Sequence, residues 1–269
     1  MKAGVPISSA LLSSLLVTVW LAMAPGHAAL ATEAAVVPAG NAGRVLTDMA
    51  EFLAAAPAFD VTVKASHDAV QADGTHLEFS AQRRVKLARP DRLRIESRDS
   101  DGTVDIVTFD GRTLSSLRPA AGVYAQTGFT GDVDGAIVHF VRDLRMRLPL
   151  AMLLLTKLPD ELNRRVTTLA YVEKTAIDEH PVHHIAGTTD SVDFQVWIRD
   201  GREPVPVRVV ITYRGAAGQP CFRADLVDWQ FAAPSDNTAF DFVPPPQARR
   251  IAFLNQVQTI AANPGESAR

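Results

Sequence analysis

The sequence predicts a mainly β protein of the α+β class, built on one antiparallel sheet of about ten strands with inserted helices. Apolar and polar residues alternate over many segments between residues 59 and 231, as in strands with one buried face. Short turns such as Asp101-Gly102 and Asp110-Gly111 join several of these segments. Such turns connect antiparallel neighbours, because a parallel pair needs a long crossover.

The first 31 residues have the three parts of a secretory signal peptide. Lys2 is the only charged residue among them, and the apolar run 10–24 is followed by small residues, with cleavage expected after Ala28 or Ala31. The alternative is a membrane anchor, which needs about 20 apolar residues and so exceeds this run. We therefore expect a periplasmic protein whose mature form does not span the membrane and starts with a flexible lead, residues 32–43.

Charge and cysteine content exclude several classes of function. The chain has 27 basic and 30 acidic residues, and removal of the signal peptide takes away Lys2 alone, which leaves a net charge of −4. We expect no nucleic-acid partner, because phosphate binding needs a concentrated positive surface. Cys221 is the only cysteine, so neither an intrachain disulfide nor a cysteine metal cluster can form.

The first half of the mature chain predicts a helix and then a meander. Residues 45–53 carry apolar side chains every three or four positions, which predicts an amphipathic helix that ends near Pro57. Residues 59–65 and 77–85 alternate on either side of a turn at 72–75, which predicts a hairpin. Further short segments up to residue 117 continue the alternation.

An apolar interruption separates this meander from a second group of strands. Residues 137–144 follow helical spacing, and the run 152–155 predicts a second, very apolar turn or helix. No break in composition marks a linker, which predicts one domain over residues 44–251 and a C-terminal tail over 252–269. Later elements are predicted as strands over 169–177, 182–189, 192–199, 205–213 and 221–231, and as a weak helix over 249–261.

No pattern in the sequence predicts catalysis. His180, His183 and His184 form the tightest histidine cluster, but successive strand residues point to opposite faces, so His183 and His184 cannot bind one metal ion without a bend. The chain has neither a Gly-x-Ser-x-Gly nucleophile elbow nor a glycine-rich phosphate loop. We expect no enzymatic activity, no catalytic residue, no metal site and no cofactor.

Several short motifs occur in a characteristic order. They are Arg89–Ile95 (RPDRLRI), Asp110–Leu114 (DGRTL), Val196–Ile198 (VWI), Pro206–Arg208 (PVR) and Phe240–Pro245 (FDFVPP). Together they resemble the LolA/LolB-like superfamily of periplasmic lipoprotein carriers. The resemblance is greatest to a predicted-periplasmic branch of that superfamily, a domain of unknown function.

The resemblance implies a curved half-barrel whose concave apolar face is closed by helices, with Arg89 in contact with the lid. It implies a non-enzymatic periplasmic carrier for an acyl chain, a lipid or a lipidated protein. The alternative is an envelope protein-interaction or sensor module without lipid cargo, in which the cavity is filled by core. Strand alternation and helix spacing place these residues at the ligand: Val61, Val63, Phe79, Leu93, Ile95, Ile106, Ile137, Phe140, Val141, Leu144, Met152 and Leu155.

Overall fold

One twelve-stranded sheet forms the body of the protein in the computed structural model, which describes residues 39–144, 146, 148–232 and 237–253. The mainly β, antiparallel class predicted from the sequence is confirmed, with twelve strands in place of about ten. In chain order the strands are β1 (Ala58–Val70), β2 (His76–Ala88), β3 (Arg92–Asp99), β4 (Val104–Phe109), β5 (Thr113–Arg118), β6 (Val123–Gly128), β7 (Thr168–Ile177), β8 (His180–Thr188), β9 (Val192–Arg199), β10 (Pro206–Tyr213), β11 (Cys221–Gln230) and β12 (Arg249–Ile251).

The order of the strands explains why the middle of the chain is apolar. From edge to edge the order is β12-β6-β5-β4-β3-β2-β1-β11-β10-β9-β8-β7. One meander runs from β1 at the centre to β6, and a second runs from the opposite edge at β7 back to β11, which pairs with β1. The chain must therefore pass from one side of the sheet to the other between β6 and β7. We call this segment, residues 129–167, the crossover.

Short helices build the crossover. α2 (Val133–Val138) is capped by Asp132, whose carboxylate accepts a 2.8 Å hydrogen bond from the Gly135 amide, and it continues as a π-helical segment, His139–Asp143. A 3-10 turn, Ala151–Leu154, and α3 (Leu158–Arg165) follow. Among the described residues, no helix combines the length and the apolar character that a membrane crossing requires.

The core lies between one face of the sheet and the helices, and we call this face the inner face. The N-terminal helix α1 (Ala39–Ala55) contributes Met49 and Leu53, which are buried against it together with residues of the crossover. Full burial of such a side chain stabilises the fold by about 1.5–3 kcal/mol. The largest fully buried side chains include Phe59, Leu87, Ile95, Phe109, Leu114, Leu144 and Leu158.

The C-terminal segment packs on the other face and on the edge of the sheet. Phe240 is 1% exposed and packs against Ala58 and Ala88 on the outer face. The prediction of a weak helix over 249–261 is wrong for residues 249–251. These residues form β12, which pairs in parallel with β6. Edge pairing decides this, because the free backbone groups of β6 offer hydrogen bonds that a short helix would lack; the rest of that prediction lies outside the described residues.

Asp68 joins the two meanders at the centre of the sheet. The Cys221 amide donates a 3.0 Å hydrogen bond to its carboxylate, although the two residues are 153 positions apart in the chain. Arg223 donates a second bond of 3.0 Å, and His76 lies 3.2 Å away. The pKa of Asp68 is lowered to about 2, mainly because its carboxylate accepts the hydrogen bond from the Cys221 amide. Arg223 and His76 lower this pKa further, whereas burial acts in the opposite direction.

Replacement of Asp68 by asparagine should reduce the sensitivity of the protein to acid. A carboxyl group with a lowered pKa stabilises the fold above about pH 4, and this contribution is lost as the pH falls through about 2. In this range the wild type should lose about 1–2 kcal/mol more unfolding free energy than Asp68→Asn. Urea unfolding at a series of pH values measures the difference, and parallel profiles for the two proteins would contradict the assignment.

Candidate functional site

A small apolar cavity lies between the inner face and the end of the crossover. Its volume is about 30 Å³, which is room for about one water molecule, whereas small-molecule sites measure ~300–1,000 Å³. The crossover therefore fills the space that a ligand on the inner face would occupy. The cavity is lined by Val61, Val63, Arg83, Val85, Leu148, Pro149, Leu150, Leu153, Leu154, Phe222, Leu226 and Trp229.

Residues 148–155, which we call the lid, form the cover of this cavity. Their backbone makes only isolated turn hydrogen bonds, for example Leu153 N to Leu150 O at 3.0 Å. Leu150 has a left-handed conformation with φ of 61°, which costs a residue with a side chain about 1–2 kcal/mol. The lid is thus held by its leucine side chains, of which Leu154 is buried and the others are half-buried, and by contacts at its ends, since it has little regular secondary structure.

Arg89 connects the lid to the end of α1. Its Nε donates to the Ala56 carbonyl at 3.1 Å, and its Nη2 donates to the carbonyls of Leu53 at 3.4 Å and Leu154 at 3.1 Å. The last carbonyls of a helix have no partner within the helix, so Arg89 satisfies groups that α1 leaves open. One side chain thereby ties the turn between β2 and β3, the N-terminal helix and the lid together.

Asp134 and Thr156 complete the contact, and we call Arg89, Asp134 and Thr156 the Arg89 cluster. The Asp134 carboxylate lies 3.7 Å from Arg89 Nη1 and accepts hydrogen bonds from the Thr156 amide at 3.0 Å and from the Thr156 hydroxyl at 2.6 Å. Burial lowers the pKa of Arg89, and the charges of Asp134 and Asp132 act in the opposite direction. An arginine stays protonated under such conditions, so the cluster keeps its charge pair.

Most of the chain matches the model of one protein family. A family model described as "Predicted periplasmic protein (DUF2092)" matches residues 42–254, which is most of the chain. The chain belongs to the DUF2092 family. This confirms the branch that the motif order predicted, and the family description confirms the periplasmic localisation predicted from the first 31 residues, which lie outside the described part of the chain.

Solved structures similar to this DUF2092 protein share little sequence with it. LprF from Mycobacterium bovis is 16% identical, with a TM-score of 0.47 and coverage of 79% of this chain and 99% of that one. The lipoprotein LppX from Mycobacterium tuberculosis is 15% identical, with a TM-score of 0.44 and coverage of 74% and 100%. A LolA superfamily protein from Nitrosomonas europaea is 13% identical, with a TM-score of 0.36 and coverage of 75% and 97%. No curated protein sequence matches the chain.

In this DUF2092 protein most of the predicted ligand residues lie in the apolar layer between the sheet and the helices. Two of them, Val61 and Val63, line the cavity itself, and Arg89 contacts the lid. A role of these residues in ligand binding stays a prediction. Those that the structure buries or packs against the core are Val61, Val63, Leu93, Ile95, Ile137, Phe140, Leu144, Met152 and Leu155.

The prediction that Ile106 lines the inner face is wrong. Ile95, which does face the helices, pairs with Val107, whereas Ile106 pairs with Glu96 and Leu117 on the outer face. A shift of one position along a strand moves a side chain to the opposite face of the sheet. The isoleucine and valine at 106 and 107 are both apolar, so alternation alone did not decide between them.

Phe79 and Val141 lie outside the buried apolar layer, for different reasons, and their role in ligand binding stays a prediction. Phe79 is 45% exposed because its end of β2 extends beyond the helices, where it stacks on His67 with ring centroids 6.0 Å apart. Val141 is 40% exposed and lies in the π-helical segment. A π turn has wider spacing than an α-helix, so the face expected from a 3.6-residue period is no longer the buried one.

Sequence reasoning missed the residues of the lid and of β11 that line the cavity. The alternation of Phe222, Ala224 and Leu226 was a readable signal for the inner face. Trp229 also reaches this face, but a bulge opposite β1, with Asp228 at φ of 56°, shifts it there. Such a bulge has no signature in the sequence that we could have used.

The histidine cluster is divided between the two faces, as strand geometry predicts. The Nδ1 atom of His183 lies 2.8 Å from the Tyr171 hydroxyl, and its Nε2 lies 3.2 Å from Asp200. His184 stacks on Trp197 on the outer face, with ring centroids 4.0 Å apart. Within the described ranges, no three His, Cys, Asp or Glu side chains are placed to hold a metal ion together.

Proposed function

We propose that this protein is a non-enzymatic carrier that binds an acyl chain, a lipid or the lipid part of a protein between the inner face and the crossover. In the structure the lid occupies that position. Binding then requires the lid to move away from Val61, Val63 and Val85, so that the ligand replaces the lid side chains.

The observation that supports the proposal is the way in which the lid is attached. Its leucines cover an apolar surface, but they lie in and beside a short 3-10 turn that follows a strained residue, Leu150, and has few backbone hydrogen bonds. Polar contacts to the rest of the fold are concentrated in the Arg89 cluster. An element attached in this way can be displaced as a unit, because no strand pairing has to break.

Energetics favour an acyl chain as the molecule that displaces the lid. The four lid leucines that line the cavity are Leu148, Leu150, Leu153 and Leu154, and each would lose at most about 1.5–3 kcal/mol if it became exposed. Burial of an acyl chain gains about 0.8 kcal/mol for each methylene, so roughly 15 methylenes gain about 12 kcal/mol. A long chain can therefore offset the opening of the lid, whereas a small apolar molecule cannot.

The periplasmic location is consistent with this function. A long acyl chain is costly to expose to water, and a carrier removes that cost when it surrounds the chain with an apolar layer. Here that layer already exists as the buried inner face, which includes Leu93 and Ile95. The protein would hold its ligand mainly by shape and apolar burial, with the charged side chain of Arg83 also at the cavity.

A titration of the mature protein with a fluorescent fatty acid tests the proposal, with native mass spectrometry to count the bound chains. We expect saturable binding of the probe. Val63→Gln, which places an amide in the sheet wall that the ligand would contact after the lid has moved away, should weaken the affinity by about tenfold, because one apolar contact of about 1.5 kcal/mol is lost.

The matched control is Leu77→Gln. Leu77 is 45% exposed near the turn of the β1–β2 hairpin and outside the cavity, so its replacement should leave the affinity for the probe unchanged. Equal losses in both variants would indicate nonspecific adsorption. Absence of binding, together with an envelope protein that co-purifies with the chain, would instead support the interaction or sensor module.

A further inference from the structure

The outer face of the sheet carries a polar groove that the carrier function does not use. The groove has a volume of about 680 Å³ and spans strands β3, β2, β1, β11, β10 and β9. Four basic and two acidic residues line it, although the whole chain has a net charge of −3. Positive charge is thus concentrated here on an otherwise acidic protein, on the face opposite the lid.

The residues of the groove form one straight row across the strands. Register places Arg98 opposite Gln82, Gln82 opposite Lys64, and Lys64 opposite Asp225. The row continues from Asp225 to Arg208. Directly opposed residues point to the same face of a sheet, so the three basic side chains of the row project into the groove together.

Much of the positive charge in this row is available to a ligand. Arg208 uses its Nε for a 2.6 Å hydrogen bond to Asp225, which leaves its two terminal amino groups. Within the part of the chain that the structure describes, neither Lys64 nor Arg98 forms a salt bridge, and both are exposed. The row therefore presents three cationic groups, of which one is partly neutralised.

The spacing of the three cations restricts the ligand. Arg98, Lys64 and Arg208 lie on every second strand, and two strand spacings amount to about 9.6 Å. A polyproline II helix has three residues per turn and a rise of about 3.1 Å per residue, so every third side chain recurs on one side after about 9.3 Å. A fully extended chain does not match, because its third residue points to the opposite side.

The end of the row is built like a site for such a helix. Trp197 lies opposite Arg208 in the register, with the Arg208 guanidinium 6.0 Å from its ring centroid. His184 stacks on the indole at 4.0 Å with an angle of 11° between the rings. The tryptophan is held in one orientation by these contacts, and aromatic side chains in grooves are the usual partners of polyproline II segments.

We propose that this groove binds an acidic segment of a partner protein in the polyproline II conformation, with a carboxylate at every third residue. The carboxylates pair with Arg98, Lys64 and Arg208, and the turn beyond Arg208 rests against Trp197. The proposal is independent of the carrier function, because the groove and the lid lie on opposite faces of the sheet.

Fluorescence anisotropy with a labelled peptide of four Glu-Pro-Pro repeats tests the proposal on the mature protein. We expect saturable binding that weakens with salt, because the contacts are exposed charge pairs. The double variant Lys64→Glu/Arg98→Glu should weaken the affinity by at least about tenfold, since two attractions become repulsions. Arg112→Glu, an exposed arginine in a distant turn, makes the same type of charge reversal and should leave the affinity almost unchanged.

A second peptide of the same composition, with its four glutamates consecutive, tests the spacing. It should bind more weakly than the repeat peptide, and equal affinity would overturn the match to a polyproline II helix. The proposal is also overturned if neither peptide binds. Binding of the protein to anionic phospholipid vesicles, lost in the double variant and without any binding of peptide, would show that the groove contacts a membrane surface.

Discussion

Replacement of Phe59 by alanine is expected to lower the free energy of unfolding by about 3–5 kcal/mol, the range for loss of a fully buried aromatic side chain. Phe59 is 1% exposed and packs against Trp229 and Phe231, with ring centroids 5.4 Å and 6.2 Å apart. The cavity left by the ring would lie where α1, β1 and β11 meet, and these elements cannot close it without moving. Urea unfolding measures the effect as a lower midpoint with an unchanged slope.

Phe79→Ala is the matched control for this prediction. Phe79 lies on the same face of the same hairpin, opposite His67, but it is 45% exposed beyond the helices. Its replacement by alanine should lower the free energy of unfolding by less than about 1 kcal/mol, because little buried apolar surface is lost. A loss as large as that of Phe59→Ala would mean that another part of the protein covers this end of the hairpin in solution.

Replacement of Arg89 by alanine should release the lid while the sheet stays folded. The carbonyls of Leu53, Ala56 and Leu154 would lose their donor, and Asp134 would lose its charge partner. Loss of one partner of a largely buried charged contact costs about 2–4 kcal/mol. This loss reduces the stability of the closed lid and leaves that of the sheet, because the sheet keeps all its strand pairs.

Hydrogen exchange measures this release directly. Amides of residues 151–156 should exchange roughly a hundredfold faster in Arg89→Ala, since the free energy that keeps the lid closed falls by about 3 kcal/mol. Amides of β2 and β3 should exchange as in the wild type. If exchange rises equally in the lid and in these strands, Arg89 supports the whole fold, and the lid is not a separate element.

Two further variants make this test specific. Arg89→Lys keeps the charge but has a single ammonium group, which cannot reach three carbonyls in the way that the planar guanidinium does, so it should release the lid in part. Arg112→Ala removes an exposed arginine and should change nothing. If the carrier proposal is correct, Arg89→Ala also binds the fatty-acid probe faster, because opening of the lid precedes binding.

Local patterns in the sequence predicted the elements of this fold well. Strand bounds such as 192–199 follow from the alternation of apolar and polar residues, because one face of each strand is buried and the other is exposed to solvent. The helix expected over 45–53 is the buried middle of α1, and the helical spacing over 137–144 locates the end of α2 and the π-helical segment. These properties depend on neighbours within a few residues, and the sequence therefore determines them by itself.

The strand order and the attachment of the lid were decided only by the tertiary structure. Pairing of β1 with β11 brings Asp68 to Cys221 across 153 residues, and no local pattern carries such a register. The exposure of Phe79 and the outward direction of Val141 depend on where the helices end and on a π turn. Alternation predicts that a strand buries one face, but only packing against distant segments decides how much of that face is covered.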